Sequence, residues 1–210
     1  MSNFNAYSRS NSFVKFTQNL FNRLGKKLLR RIIAALVIAI FAFLKQPWQS
    51  TAKIPNNSNI YVVVSVSDGD TLIARDNNSS IHVRLIGIDA PEIHQNEKAL
   101  QDSQKSGVSI KKILSLGRSS FQHLNKLLPR GSRIKLTSDR DKLDRFGRTL
   151  SYVNLEDGTF INKLMLQDGY AYQHTISPNF LFKNEFKKAA NLARKNRAGL
   201  WAEIDLDRFE

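Results

Sequence analysis

Residues 60–88 read IYVVVSVSDGDTLIARDNNSSIHVRLIGI. Three runs rich in β-branched residues, Ile60–Val66, Thr71–Arg75 and Ile81–Ile88, are separated by Ser67-Asp68-Gly69-Asp70 and Asp76–Ser80. Short β-branched runs bounded by Asp, Asn, Gly and Ser predict strands joined by tight turns. The stretch reads as a meander of three strands.

Downstream, the polar stretch from Asp89 to about Ser109 reads as irregular. Leu114–Leu128 has helical spacing and stops at Pro129 and Gly131. Arg133–Thr137 and Thr149–Leu155 are strands four and five, joined by a charged loop. Thr159 is placed to cap a short helix, Phe160–Gln167, ending at Gly169. A last helix runs from about Phe180 to Asn196 and stops near Gly199. There is no internal repeat. Five short strands with a helix between the third and fourth is the order of the OB barrel. The expectation is an α+β chain: a five-stranded OB-fold β-barrel with about three helices over residues 60–203, and a tail over 204–210.

Upstream, the chain changes character. It has 210 residues and a net charge of +14. Nine Lys/Arg fall in residues 1–67, which contain no Asp or Glu. Residues 68–210 are mildly basic, compatible with a polyanionic partner or with a solvated surface. Lys26-Lys27-Leu28-Leu29-Arg30-Arg31 precedes an uncharged apolar run, Ile32–Leu44. A spanning helix needs about 20 apolar residues, so this shorter run behind a basic segment (1–31) reads as a signal-peptide core or an uncleaved anchor over 32–48. The flanking charge favours a cytoplasmic N-terminus. Residues 49–59 form a polar linker. The expected location is outside the cytoplasm, membrane-anchored or secreted. Cysteine is absent, which excludes disulfides, thiolate metal sites and a Cys nucleophile.

The candidate chemistry lies at strand ends. Asp68 and Asp70 flank a glycine in the first turn, and Asp89 and Glu92 come just after the third strand. Either group by itself reads as a turn or a capped loop. Neighbouring barrel strands bring the two loops to one rim, where hard oxygen ligands suit Ca²⁺ or Mg²⁺. Arg84 interrupts an apolar strand, and Arg148 comes directly after Asp144-Arg145-Phe146-Gly147. Two guanidiniums near a metal make a phosphate clamp, since each binds two oxygens in one plane. His82, His94, His123 and His174 share no metal-ligand spacing; His82 and His123 read as partly buried.

Asp68-Gly69-Asp70-Thr71, Val83-Arg84-Leu85-Ile86-Gly87-Ile88-Asp89-Ala90-Pro91-Glu92 and Asp144-Arg145-Phe146-Gly147-Arg148, in that order, resemble the signature of the staphylococcal nuclease family. Gly199-Leu200-Trp201 resembles the family's end of the last helix. The resemblance spans about Ile60 to Ala202. It implies that Asp70, Asp89 and the Ala90 carbonyl are Ca²⁺ ligands. It implies that Glu92 orients or deprotonates the attacking water, and that Arg84 and Arg148 bind the scissile phosphate. Asp68 matches an outer-sphere acid. Phe146 departs from a family tyrosine, the tyrosine pair after the short helix is replaced by Tyr170, Tyr172 and His174 in uncertain register, and His94–Ser115 is longer than in the founding member.

The expected function is Ca²⁺-dependent cleavage of DNA and/or RNA with low sequence specificity, with nucleic acid and, through residues 32–48, a membrane as partners and no protein partner. Two other classes stay open at this point. One is a non-catalytic nucleic-acid-binding module on the same fold. The other is a membrane-surface structural protein, which leaves the carboxylate–arginine set unexplained.

Overall fold

The structure, a computed structural model, describes residues 31, 60–77 and 79–209. The leader or anchor expected over residues 32–48 and the linker over 49–59 lie outside the described residues.

The chain order is β1 (Ile60–Asp68), β2 (Thr71–Arg75), β3 (Ser80–Leu85), β4 (Ile88–Asp89), α1 (Glu97–Ser106) and α2 (Ile110–Leu127). Then come β5 (Arg133–Thr137), β6 (Thr149–Leu155), α3 (Ile161–Gln167), β7 (Tyr172–Gln173) and α4 (Lys183–Lys195). Two 3₁₀ turns, Gly199–Ala202 and Leu206–Phe209, complete the order. β1, β2 and β3 form an antiparallel meander. β5 pairs antiparallel with β6 and with β1, and β6 pairs parallel with β3. The result is a closed five-stranded barrel, β1-β2-β3-β6-β5, with OB-like order. β1 slips register between Val63 and Ser65 and between Val66 and Asp68. Such bulges bend a strand sharply enough to close a small barrel.

Alternation along the strands fills the interior with Val63, Leu72, Ala74, Val83, Ile134 and Val153, all buried. Leu124 of α2, Ile161 and Met165 of α3, and Phe186 of α4 belong to the same cluster. A second cluster ties Ala99 of α1 and Ile113 and Leu116 of α2 to Leu200, Trp201, Leu206 and Phe209. Residues 204–209, expected as a tail, therefore bury two of their side chains in this cluster.

Several expectations are corrected. There are four α-helices among the described residues, not about three, because α1 occupies part of the stretch read as irregular. Its apolar face is thin: Ala99 is buried while Leu100 is exposed. Local signals carry it instead: the Asn96 side chain accepts from the Ala99 N–H, and the helix stops at Gly107. An N-cap of this kind is worth about 1 kcal/mol. α2 starts at Ile110, capped by Ser109, rather than at Leu114. The third strand ends at Leu85, and Ile88–Asp89 leave the barrel to pair with β7. Thr159 does not cap α3; its N–H donates to Asp157 instead. His82 is exposed, on the outer face of β3, and not partly buried.

Candidate active site

Strand register brings the expected residues together. Thr71 pairs with Arg84 across β2 and β3, which sets the Asp68–Asp70 turn beside the guanidinium. Arg84 also pairs with Leu150 of β6, two residues beyond Arg148. Asp89 pairs with Tyr172. Asp68, Asp70, Arg84, Asp89, Glu92 and Arg148 all line one open cleft of about 670 Å³. Buried Ala90 reaches the same place through its backbone.

Arg84 ties the group. Its Nη1 lies 2.8 Å from Asp70 Oδ2 and its Nη2 2.7 Å from Asp89 Oδ1. Nη1 also donates to the Ile88 carbonyl at 3.0 Å. Asp70 accepts from the Thr71 hydroxyl at 2.9 Å and from the Ala90 N–H at 3.2 Å. Asp89 accepts from the Tyr172 hydroxyl at 2.6 Å. Glu92 accepts from the Asn96 amide at 2.7 Å. On the other side of the cleft, Arg148 Nε is 2.7 Å from Asp144 Oδ2, and Asp144 Oδ1 accepts from the N–H groups of Phe146 and Arg148.

Burial and neighbouring charge act differently on the carboxylates of this cleft. Burial, with Asp89 and Asp68 adding to it and Arg84 opposing, pushes Asp70 up to about 7. Burial, reinforced by Glu92, pushes Asp68 up to about 6. Burial acts on Asp89 too, but Arg84, Lys98 and the Tyr172 hydroxyl outweigh it and hold this carboxyl well below its usual range. Asp70 and Asp89 share the Arg84 guanidinium, so their protonation is coupled. Tyr172, raised by burial and by Asp89, stays a neutral donor.

The expected Ca²⁺ ligands fit a hard cation. Among the described residues no group of three or more His, Cys, Asp or Glu able to hold a metal occurs. What the chain offers is two carboxylates and a carbonyl, all oxygen, as Ca²⁺ prefers. Asp89 Oδ2 and the Ala90 carbonyl oxygen each lie 3.3 Å from the Lys98 ammonium, so both face a single cationic position.

The family model described as staphylococcal nuclease homologue matches residues 82–203. The chain belongs to the staphylococcal nuclease family. The thermonuclease of Staphylococcus hyicus is 27% identical over 173 residues, 81% of this chain and 94% of that protein. The thermonuclease of Staphylococcus intermedius is 29% identical over 169 residues, 80% of this chain and 91% of that protein. The micrococcal nuclease of Shigella flexneri is 32% identical over 151 residues, 67% of this chain and 72% of that protein. The family model begins inside β3, so Asp68 and Asp70 lie ahead of it.

Within this staphylococcal nuclease framework, the departures seen in the sequence acquire places. Phe146 is 68% exposed on the cleft rim, with the Arg145 and Arg148 guanidiniums 4.7 and 5.5 Å from its ring centroid. Tyr172 stands behind Asp89, and His174 lines the cleft. Tyr170 does neither: it stacks on His123, which is bonded to Asp168. Sequence reasoning missed Lys98, Asn96 and Asp144 as parts of the site. The first two sit on the unexpected α1 and its cap, and only the capping pattern at Asn96 could have flagged them. Asp144 was legible as a turn residue four positions before Arg148.

Proposed function

We propose that this member of the staphylococcal nuclease family is a Ca²⁺-dependent nuclease. It is a phosphodiester hydrolase acting on DNA, RNA or both, with low sequence specificity. The observation that carries this reading is the joining of Asp70 and Asp89 by one guanidinium in a cleft that also holds Glu92 and Arg148.

Asp70, Asp89 and the Ala90 carbonyl would hold Ca²⁺, with Asp68 outside the ligand shell. When bound, Ca²⁺ supplies positive charge against the phosphate and polarises water. Glu92, held by Asn96 at the cleft wall, accepts the proton from the attacking water. Arg148, oriented through its Nε by Asp144 and with Nη1 3.5 Å from the Thr71 hydroxyl, binds the non-bridging phosphate oxygens through its Nη nitrogens. Arg84 is the second arginine of the clamp. Its hold on Asp70 and Asp89 joins phosphate binding to the state of the ligand carboxylates. Charge that grows on the phosphate is met by groups already in position, which is where such sites gain most.

Phe146 offers a ring at the rim on which any base stacks, and stacking does not discriminate strongly between bases. Low sequence specificity is the consequence. The same reading places the domain outside the cytoplasm, carried there by the apolar run Ile32–Leu44, away from the cell's own nucleic acid and where Ca²⁺ is available. The test is incubation of the full chain with plasmid DNA, single-stranded DNA and RNA in Ca²⁺. Degradation of at least one to short fragments without a fixed cleavage pattern is expected. Three intact substrates would refute the reading.

A further inference from the structure

We propose that Lys98 sets the metal affinity of the site by competing, as a tethered ammonium, for the oxygens that face the cation. This rests on the Ca²⁺ reading above and goes beyond it. Lys98 Nζ lies 3.3 Å from Asp89 Oδ2, 3.3 Å from the Ala90 carbonyl oxygen and 3.6 Å from Glu92 Oε1. Two of these are expected ligands and the third is the expected base. An ammonium among three such oxygens stands where a hard cation would be drawn.

The lysine is delivered there by a built element. Asn96 caps α1 and in the same turn bonds Glu92 Oε2. Ala99 is buried between α1 and α2. The ammonium has a second berth: Asp102, one turn along α1 and buried, lies 3.1 Å from Nζ. A lysine on a flexible stem with two anionic berths can keep Asp102 while yielding the first to a stronger cation. Arg84 holds Asp70 and Asp89 from one side, while Lys98 reaches Asp89 and Glu92 from the other. Lys98 therefore neutralises the metal-free site and weakens Ca²⁺ binding at once.

A purely structural ion pair predicts no change in Ca²⁺ affinity when Lys98 is replaced, which separates the two cases. The test is calorimetric titration of the full chain with Ca²⁺, together with melting in chelator and in Ca²⁺. Lys98→Met is expected to bind Ca²⁺ about 10-fold more tightly than the parent, since a like charge at this distance is removed. It should melt lower in chelator and gain more from Ca²⁺. Asp102→Asn, which removes the second berth, is expected to bind Ca²⁺ several-fold more weakly, and it provides the test if Lys98→Met does not fold. A folded Lys98→Met with unchanged or weaker affinity overturns the proposal, as does Asp102→Asn with tighter binding. A parent chain that takes up no Ca²⁺ overturns the functional reading itself; Ca²⁺ bound by the parent with equal affinity in the variants overturns only the role of Lys98.

Discussion

Gly117 of α2 lies flush against the backbone that carries Glu92: a Cβ at Gly117 would fall 2.1 Å from the Glu92 carbonyl oxygen and 2.7 Å from that of Pro91. Helix and loop touch with no room for a methyl group, and neither partner is the free end of a side chain. Gly117→Ala should gain about 1 kcal/mol in helix propensity and lose more than that, since overpacking of this kind costs about 1–3 kcal/mol. The loop must move, and Glu92 with it. We expect a lower Tm and at least a 10-fold loss of kcat, whereas Ser115→Ala, exposed on the same helix, leaves both unchanged. Parental activity in Gly117→Ala would show that the loop position does not matter.

Glu92→Gln keeps the shape and the bond from Asn96 but removes the basic oxygen. A positioned base contributes roughly 10²–10⁴-fold. The expected outcome is a loss of kcat of at least about 10²-fold at nearly unchanged Tm. Turnover within a factor of two of the parent would reduce Glu92 to a loop carboxylate.

The two arginines differ in what surrounds them, and so should their variants. Arg84→Lys cannot span Asp70 and Asp89 together, because a single ammonium lacks the fork. It should lose activity and stability. Arg148→Lys should lose activity at little cost to Tm, because Arg148 sits at the partly exposed rim. Asp144→Ala frees the Arg148 guanidinium and unties two loop N–H groups, so kcat/KM should fall about 10-fold with a stability cost of about 1 kcal/mol. Full activity in Arg148→Lys would mean that a point charge suffices there.

The barrel was legible because its strands advertise themselves: β2 and β5–β6 have the bounds their β-branched composition predicts. The carboxylates and arginines were legible as motifs because each stands at a strand end, where a charge needs a reason. Lys98 was not. A lysine in a polar stretch looks like any solvated lysine, and only the fold shows α1 bringing it to Asp89 and Glu92. Gly117 was hidden for the same reason, since close approach of two backbones leaves no local trace in a helical pattern. Tyr172 was visible as an aromatic, but its partner Asp89 lies 83 residues away.

Export is tested by fractionating cells that express the full chain and treating intact cells with protease. Nuclease activity that is released to the medium, or is destroyed by external protease, is expected. Activity found wholly in the cytosol and protected would contradict it.

In the proposed mechanism Asp70, Asp89 and the Ala90 carbonyl hold the cation on which cleavage depends. The most direct measurement is the rate of phosphodiester cleavage by the full chain as free Ca²⁺ is varied, first in excess chelator and then with Ca²⁺ restored, for the parent and for Asp89→Asn. The account predicts no cleavage in chelator, saturable recovery as Ca²⁺ returns, and an Asp89→Asn variant that needs at least 10-fold more Ca²⁺ or does not recover. Undiminished cleavage in excess chelator, or an Asp89→Asn variant with the parental Ca²⁺ dependence, would contradict it.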